Sequence, residues 1–315
     1  AIPMWVADMN FPACPTIPDA IIRRTQETHY GYFSPRQEYF DSIIRWQEKR
    51  NGVTGLTREH IAYQNGVLGG LLAAVNAVSS KGDAIFLHSP TYIGFTNSVG
   101  ENGYHMVLSD LKQDAQGVWR MDLADMEKKI QQYHIHAAVF CSPHNPCGRV
   151  WEYEEIKAMM DLFEKYEVWV VADEIWSDLI LNGNRHTPAF SVSDYARTHT
   201  VTQYAPSKTF SLAGLVGSYH ICFNPWLNDR IAKEAANTHY NSMNVLWMHA
   251  LIGAYTDEGE EWLDELNQVL SDNVNYAYDF IKTHFKGVDL FKPEGTYMLY
   301  LDCEQWCREH NMDIE

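Results

Sequence analysis

Apolar runs of strand length alternate with amphipathic stretches through the middle of the chain. Residues 84–88, 104–108, 137–141 and 168–172 are such runs, and the last has no polar side chain in five positions. Residues 92–101, 122–132 and 151–166 carry apolar side chains at the three-to-four-residue spacing of helices. Unbroken apolar strands separated by helices predict a mostly parallel sheet covered on both faces. Runs at 61–63, 199–203 and 217–223 predict three more strands, the last a glycine-punctuated return.

The flanks read differently. Residues 1–18 are apolar and proline-rich and predict an extended arm laid over another part of the molecule. A short helix is expected at 19–28 and a loop at Tyr30-Gly31-Tyr32. Ser34 as N-cap and Pro35 at the first helical position open a helix to about Arg50, with Tyr39, Phe40, Ile43, Ile44 and Trp46 near one face. Helical spacing also marks 71–78, 230–237 and 246–255. Asp257 with Glu260 resembles a capping box for a long helix. Its Leu263, Leu266, Leu270, Val274 and Ile281 recur at helical intervals, and it ends near Gly287. A last strand is expected at 297–301.

Length and composition narrow the classes. A chain of 315 residues with 46% apolar content supports a large core, and division into two domains is expected. The net charge of -17 argues against nucleic-acid binding and against an anionic membrane surface. No apolar run is long enough to span a bilayer, and the chain, which starts at Ala1, shows no signal-peptide pattern. Six cysteines lack the spacing of a disulfide framework, and Cys303 and Cys307, four apart, read as partly buried thiols of a reducing cytoplasm. Ten Trp and 18 Tyr suggest aromatic-lined pockets or a large interface.

The candidate chemistry centres on Ser207-Lys208-Thr209-Phe210, between the strands at 199–203 and 217–223. A lysine between two buried strands is deprotonated, paired or covalently used, because a lone buried ammonium is costly. The covalent use is a Schiff base, and pyridoxal 5'-phosphate is the obvious carbonyl partner. In an open parallel sheet, ligands bind at the carboxyl ends of strands. Tyr92, Asn145, Asp173 and Lys208 all follow predicted strands. Singly, each has a structural reading: Tyr92 as core, Asn145 as an Asx turn, Asp173 as a helix N-cap. Jointly they make a cofactor site. Asp173 would pair with the protonated pyridine nitrogen, Asn145 would donate to the ring hydroxyl, and Tyr92 would stack on the ring. Gly66-Val67-Leu68, at a strand–glycine–helix junction, offers backbone N–H groups to a phosphate, with Ser207 beside them; a tight turn with close helix packing is the alternative there.

The order glycine turn, aromatic, Asn-Pro-x-Gly, Asp-Glu, Ser-Lys resembles fold-type I pyridoxal-phosphate enzymes of the class I/II aminotransferase superfamily. Asn145 precedes Asp173 by 28 residues, and Asp173 precedes Lys208 by 35. Met4-Trp5-Val6-Ala7-Asp8-Met9-Asn10-Phe11, Tyr30-Gly31-Tyr32, the stretch from Ser142 to Trp151 and Ala205-Pro206-Ser207-Lys208-Thr209-Phe210 resemble MalY/PatB-type cystathionine β-lyases. The resemblance covers essentially the whole chain. It implies an α/β fold: a three-layer sandwich around a mostly parallel seven-stranded sheet, spanning 28–258, with a smaller α+β domain from 1–27 and 259–315. It implies a homodimer in which Tyr32 reaches the neighbouring subunit's cofactor phosphate, and a substrate side lined by Trp5, Val6, Ala7 and Asn145. Lys208, Asp173 and Tyr92 are then the catalytic residues, no metal is expected, and the activity is carbon–sulfur β-elimination from cystathionine or related cysteine S-conjugates.

Departures from the pattern are Ala205 in place of a usual phosphate-binding serine, Trp176 in place of a usual histidine, and Val216 in place of an arginine that many aminotransferases carry. The family's substrate-carboxylate arginine belongs to a segment later than Glu315. An aminotransferase using the same residues is the alternative. A non-catalytic effector domain of a transcription regulator would call for a basic DNA-binding segment, which this sequence lacks.

Overall fold

The structure is a computed structural model that describes residues 7–239 and 241–313. Seven strands make the central sheet: β1 (Ile61–Gln64), β2 (Ala84–Ser89), β3 (His105–Asp110), β4 (Ala137–Cys141), β5 (Trp169–Asp173), β6 (Thr200–Tyr204) and β7 (Ser218–Cys222). Their order is β1-β7-β6-β5-β4-β2-β3. β7 runs antiparallel to both of its neighbours, and the other adjacent pairs are parallel. The register sets Cys141 beside Asp173, Asp173 beside Gln203, and Gln203 beside His220. One level of the sheet near its carboxyl ends is therefore a polar row.

Eleven helices surround the sheet among the described residues. The first six are α1 (Thr16–Thr25), α2 (Gln37–Asn51), α3 (Val67–Val78), α4 (Ile93–Gly100), α5 (Leu123–Tyr133) and α6 (Tyr153–Lys165). The others are α7 (Asp194–His199), α8 (Pro225–Asn237), α9 (Val245–Ala254), α10 (Asp257–His284) and α11 (Glu304–Glu309). Alternation along the strands decides which helix covers which face. Ile85, Leu87, Val139 and Val171 point towards α3, α4 and α8, and pack with Leu71, Phe95, Leu227 and Ile231. Phe86, Phe140 and Val170 point the other way, onto Met126 and Ile130 of α5 and Ile156 and Phe163 of α6. This is a three-layer α/β sandwich. A third core lies beyond β1 and β7, where α2, α9 and α10 bury Tyr39, Trp46, Trp247, Leu251 and Leu263 together with Trp176 and Phe210. Trp46 stacks on Tyr255 at 4.4 Å.

The loop after β4 joins the sheet to the last part of the chain. Glu294 and Gly295 donate their N–H groups to the Gly148 carbonyl at 2.8 and 3.1 Å. Gly148 sits at φ +70°, and a Cβ there would lie 2.5 Å from Pro293 Cβ, so both the turn and the close approach require glycine. The neighbouring Arg149 is buried and bonds Glu155 and Glu294, each at 2.5 Å, and Glu152 at 3.1 Å. A buried guanidinium is tolerated here because three carboxylates share its donors.

Several boundaries differ from the sequence expectation. Ser34 and Pro35 lie outside α2; the extended Arg36 is its N-cap, without a side-chain bond. α1 begins at Thr16, since Pro18 in a first turn removes no helical hydrogen bond. The cap of α10 is Thr256, whose hydroxyl accepts from Gly259 N–H at 3.0 Å, in place of an Asp257–Glu260 box. α10 ends at His284, before the left-handed Gly287. Residues 297–300 form no strand: Thr296 turns through φ +66°, and pairing resumes only between Leu301–Asp302 and Asp289–Leu290.

Candidate active site

Asp173 closes β5 and is 4% exposed. One carboxylate oxygen accepts from Ile175 N–H at 3.0 Å; no other hydrogen bond reaches its side chain among the described residues. Burial pushes the acid up to about 7, partly offset by that N–H bond, with Glu174 raising it and Lys208 lowering it. A carboxyl group poised this way gains most from a cationic partner. Adjacent Glu174, fully buried, has its partners already: His186 at 2.8 Å, Ala189 N–H at 2.7 Å and Tyr204 at 2.5 Å.

Lys208 follows β6 in a turn closed by Phe210 N–H to Pro206 carbonyl at 2.9 Å and Leu212 N–H to Ser207 carbonyl at 3.0 Å. The two residues that follow it are buried and pinned. Phe210 lies in the third core, and Thr209 donates to Asp178 at 3.0 Å, which also accepts from Trp46 Nε1 at 3.1 Å. Lys208 itself is half-buried, with Nζ 5.7 Å from the Trp176 ring centroid. Burial lowers the pKa of its ammonium, while the charges of Asp8 and Asp173 act in the opposite direction. Among the described residues no carboxylate is within ion-pair distance of it. A lysine held free of a salt bridge in a partly dry site is suited to adding to a carbonyl or taking a proton.

Gly66, at φ +85°, is the N-cap of α3. No side chain caps this helix and its first turn holds no acid. The Gly66 N–H is spent on the Gln64 carbonyl at 3.0 Å, and Gly70 N–H returns to the Gly66 carbonyl at 3.1 Å. The open donors are therefore those of Val67, Leu68 and Gly69. This N-terminus sits over the polar row, for a Cβ on Gly70 would meet Gln203 Oε1 at 2.3 Å. Ser207 is half-buried beside Lys208, and Ala205, fully buried, offers no hydroxyl.

Asn145 is half-buried in the loop after β4, and its side chain makes no Asx-turn bond among the described residues. Burial keeps the adjacent His144 at about 3 and His88 at about 4, so both imidazoles are neutral. Tyr92 is the backbone N-cap of α4, 38% exposed, with its ring edge-on to Phe95 at 5.4 Å. Tyr32 is wholly exposed between α1 and α2. The Ala7 carbonyl accepts from the Tyr297 hydroxyl at 2.8 Å. Trp5 and Val6 lie outside the described residues. Val216 is held at φ +43°, a strained setting for a β-branched residue. Asp178 and Tyr297 carry no motif signal: their partners are Thr209 and Ala7, 31 and 290 positions away.

These groups fit pyridoxal 5'-phosphate. The uncapped α3 terminus suits its phosphate, the buried carboxyl of Asp173 suits its pyridinium, and Lys208 suits its aldehyde. The model of the family "Aminotransferase class I and II" matches residues 7–311, and the chain belongs to that family. It is 36% identical over 307 residues to cystathionine beta-lyase PatB of Bacillus subtilis, covering 96% of this chain and 77% of the relative. A pyridoxal-phosphate-bound C-S lyase from Staphylococcus hominis superposes with a TM-score of 0.91 at 30% identity, covering 98% of this chain and 78% of that one. Cystalysin from Treponema denticola, which contains pyridoxal 5'-phosphate, gives 0.92 at 29% identity, covering 99% and 77%.

Proposed function

We propose that the protein is a pyridoxal-phosphate-dependent carbon–sulfur β-lyase acting on cystathionine or related cysteine S-conjugates. The observation that carries the reading is a half-buried Lys208 that has no carboxylate at ion-pair distance among the described residues and lies in the field of buried Asp173, in a chain 36% identical to a cystathionine β-lyase over nearly its whole length. When bound, the cofactor supplies an electron sink for the pair left at the substrate's α-carbon. Lys208 would hold the cofactor's aldehyde, and its Nζ, when free, would take the substrate's α-proton. Asp173 would face the pyridine nitrogen and favour its protonated form. Val67, Leu68 and Ser207, with the turn at Gly66, would hold the phosphate; Asn145 would donate to the ring hydroxyl and Tyr92 would offer an aromatic surface to the ring. Ala7, with Trp5 and Val6, forms the substrate side. The Cβ–S bond breaks with its electrons on sulfur, and one cystathionine plus one water give a thiol, pyruvate and ammonia. A thiol, with a pKa of about 8.5, leaves far more readily than a hydroxyl, so serine is a poor substrate.

The same reading makes the active unit a homodimer, supported by Tyr30, Tyr32 and Phe33 standing exposed on one connection. Six free thiols support a cytoplasmic setting, and among the described residues no helix is long and apolar enough to cross a membrane. The test compares pyruvate and thiol release from cystathionine with keto-acid formation from ordinary amino acids plus 2-oxoglutarate. Pyruvate release is expected to dominate, and Lys208→Ala to lower it at least about a thousandfold. Faster transamination than pyruvate release would give the site to an aminotransferase.

A further inference from the structure

Trp176 lies in the turn after β5, three residues beyond Asp173, and is 2% exposed. Two groups lean on its indole. Lys208 Nζ is 5.7 Å from the ring centroid. Tyr297 meets it edge to face, with centroids 4.9 Å apart and planes at 77°. The Tyr297 hydroxyl then donates to the Ala7 carbonyl at 2.8 Å. Tyr297 is itself well aimed. The preceding Thr296 is buried in a left-handed turn, and its N–H bonds the Leu179 carbonyl at 2.9 Å, while Leu179 N–H bonds the Trp176 carbonyl at 2.9 Å. The lysine and the loop at 297 thus meet on one side chain, and Tyr297 carries the contact on to the start of the described arm.

Lys208 needs such a surface. A four-carbon side chain without an ion-pair partner keeps many rotamers unless packing removes them. An indole face attracts an ammonium and packs the alkyl stem of a neutral lysine equally well. We propose that Trp176 is a positioning residue whose indole fixes the Lys208 side chain and, through Tyr297, latches the N-terminal arm at Ala7. Lysine and arm are then set together, and a disturbance of the indole is felt at both. The inference rests on Lys208 as the cofactor-bearing lysine, but two of its readouts need no turnover.

Hydrogen exchange in the peptide covering residues 7–14, followed in apoprotein and holoenzyme, reads the latch. Tyr297→Phe removes one hydroxyl and is expected to raise exchange there about five- to tenfold. Trp176→Ala should raise it as much, whereas Trp176→Phe, which keeps a ring against Tyr297, stays near wild type. Visible circular dichroism of the bound cofactor reads the lysine: Trp176→Ala changes it and Tyr297→Phe does not. In steady state, Tyr297→Phe raises KM with kcat nearly unchanged, and Trp176→Ala lowers kcat as well. Should Trp176→Ala fail to fold, Trp176→Leu takes its place with the same expected results. Unchanged exchange in Tyr297→Phe overturns the latch, and unchanged dichroism in the Trp176 variants overturns the lysine contact. If the holoenzyme transaminates and releases no thiol, the proposed activity falls while these two readouts still decide the positioning role.

Discussion

The buried acid at the end of β5 binds a proton when the chain folds without cofactor. In the unfolded chain an aspartate titrates near 3.9; in the fold Asp173 titrates at about 7, chiefly through burial. The stability it contributes is fully present below about pH 4 and is lost as pH rises through 7. Asp173→Asn should therefore stabilise the apoprotein at pH 8, relative to pH 5, by on the order of 3 kcal/mol. The same variant should bind cofactor more weakly, since an amide gives a pyridinium no charge. Urea unfolding of apo and holo forms at pH 5 and 8 checks both signs. Residues of this kind were legible because a strand end and a residue type suffice to mark them, as with Asp173 and Lys208. Asp178 was not, because what makes it matter is Thr209 and Trp46, 31 and 132 positions away. Trp176 was visible only as an unusual residue; its two contacts come from segments that the fold alone brings together.

At the scale of elements, β4 and β5 up to Asp173 were marked by apolar runs, as strands buried on both faces usually are, whereas β6, equally buried, carries Thr200, Thr202 and Gln203. Helix beginnings were less legible. A serine followed by proline looks like a cap at Ser34, yet the backbone stays extended to Arg36. The stretch 297–300 is apolar enough for a strand but is claimed by contacts of Thr296 and Tyr297. The joint at Gly148 gives a sharper expectation. Gly148→Ala combines a left-handed backbone with a methyl 2.5 Å from Pro293 Cβ, and should cost about 2–4 kcal/mol. It should also loosen residues 293–312 before the sheet unfolds. A denaturation midpoint measured by fluorescence gives the first effect, and limited proteolysis mapped by mass gives the second. Cleavage unchanged from wild type would mean that Arg149 and its three carboxylates hold the joint without the turn.

For the whole molecule, the expected assembly is two chains. Sedimentation at micromolar concentration should give a dimer, and Tyr32→Phe should weaken cofactor retention by about 1.5–3 kcal/mol, one hydrogen bond to a charged group. Full retention by a monomer would remove Tyr32 from the site. Overall charge was legible from composition, whereas pairing order was not, since no local pattern tells β1 that its neighbour is β7. That pairing has a consequence during synthesis. Among the described residues β1 lies at the sheet edge and pairs only with β7, joining Ile61 to Ile221 across 160 positions. On the ribosome, β1 and the glycine turn behind it emerge long before their partner exists. At about 5–20 residues per second, the wait is roughly 8–32 s. Through that interval an apolar segment stands without its sheet, and the uncapped α3 N-terminus, although encoded early, is among the last features to take shape.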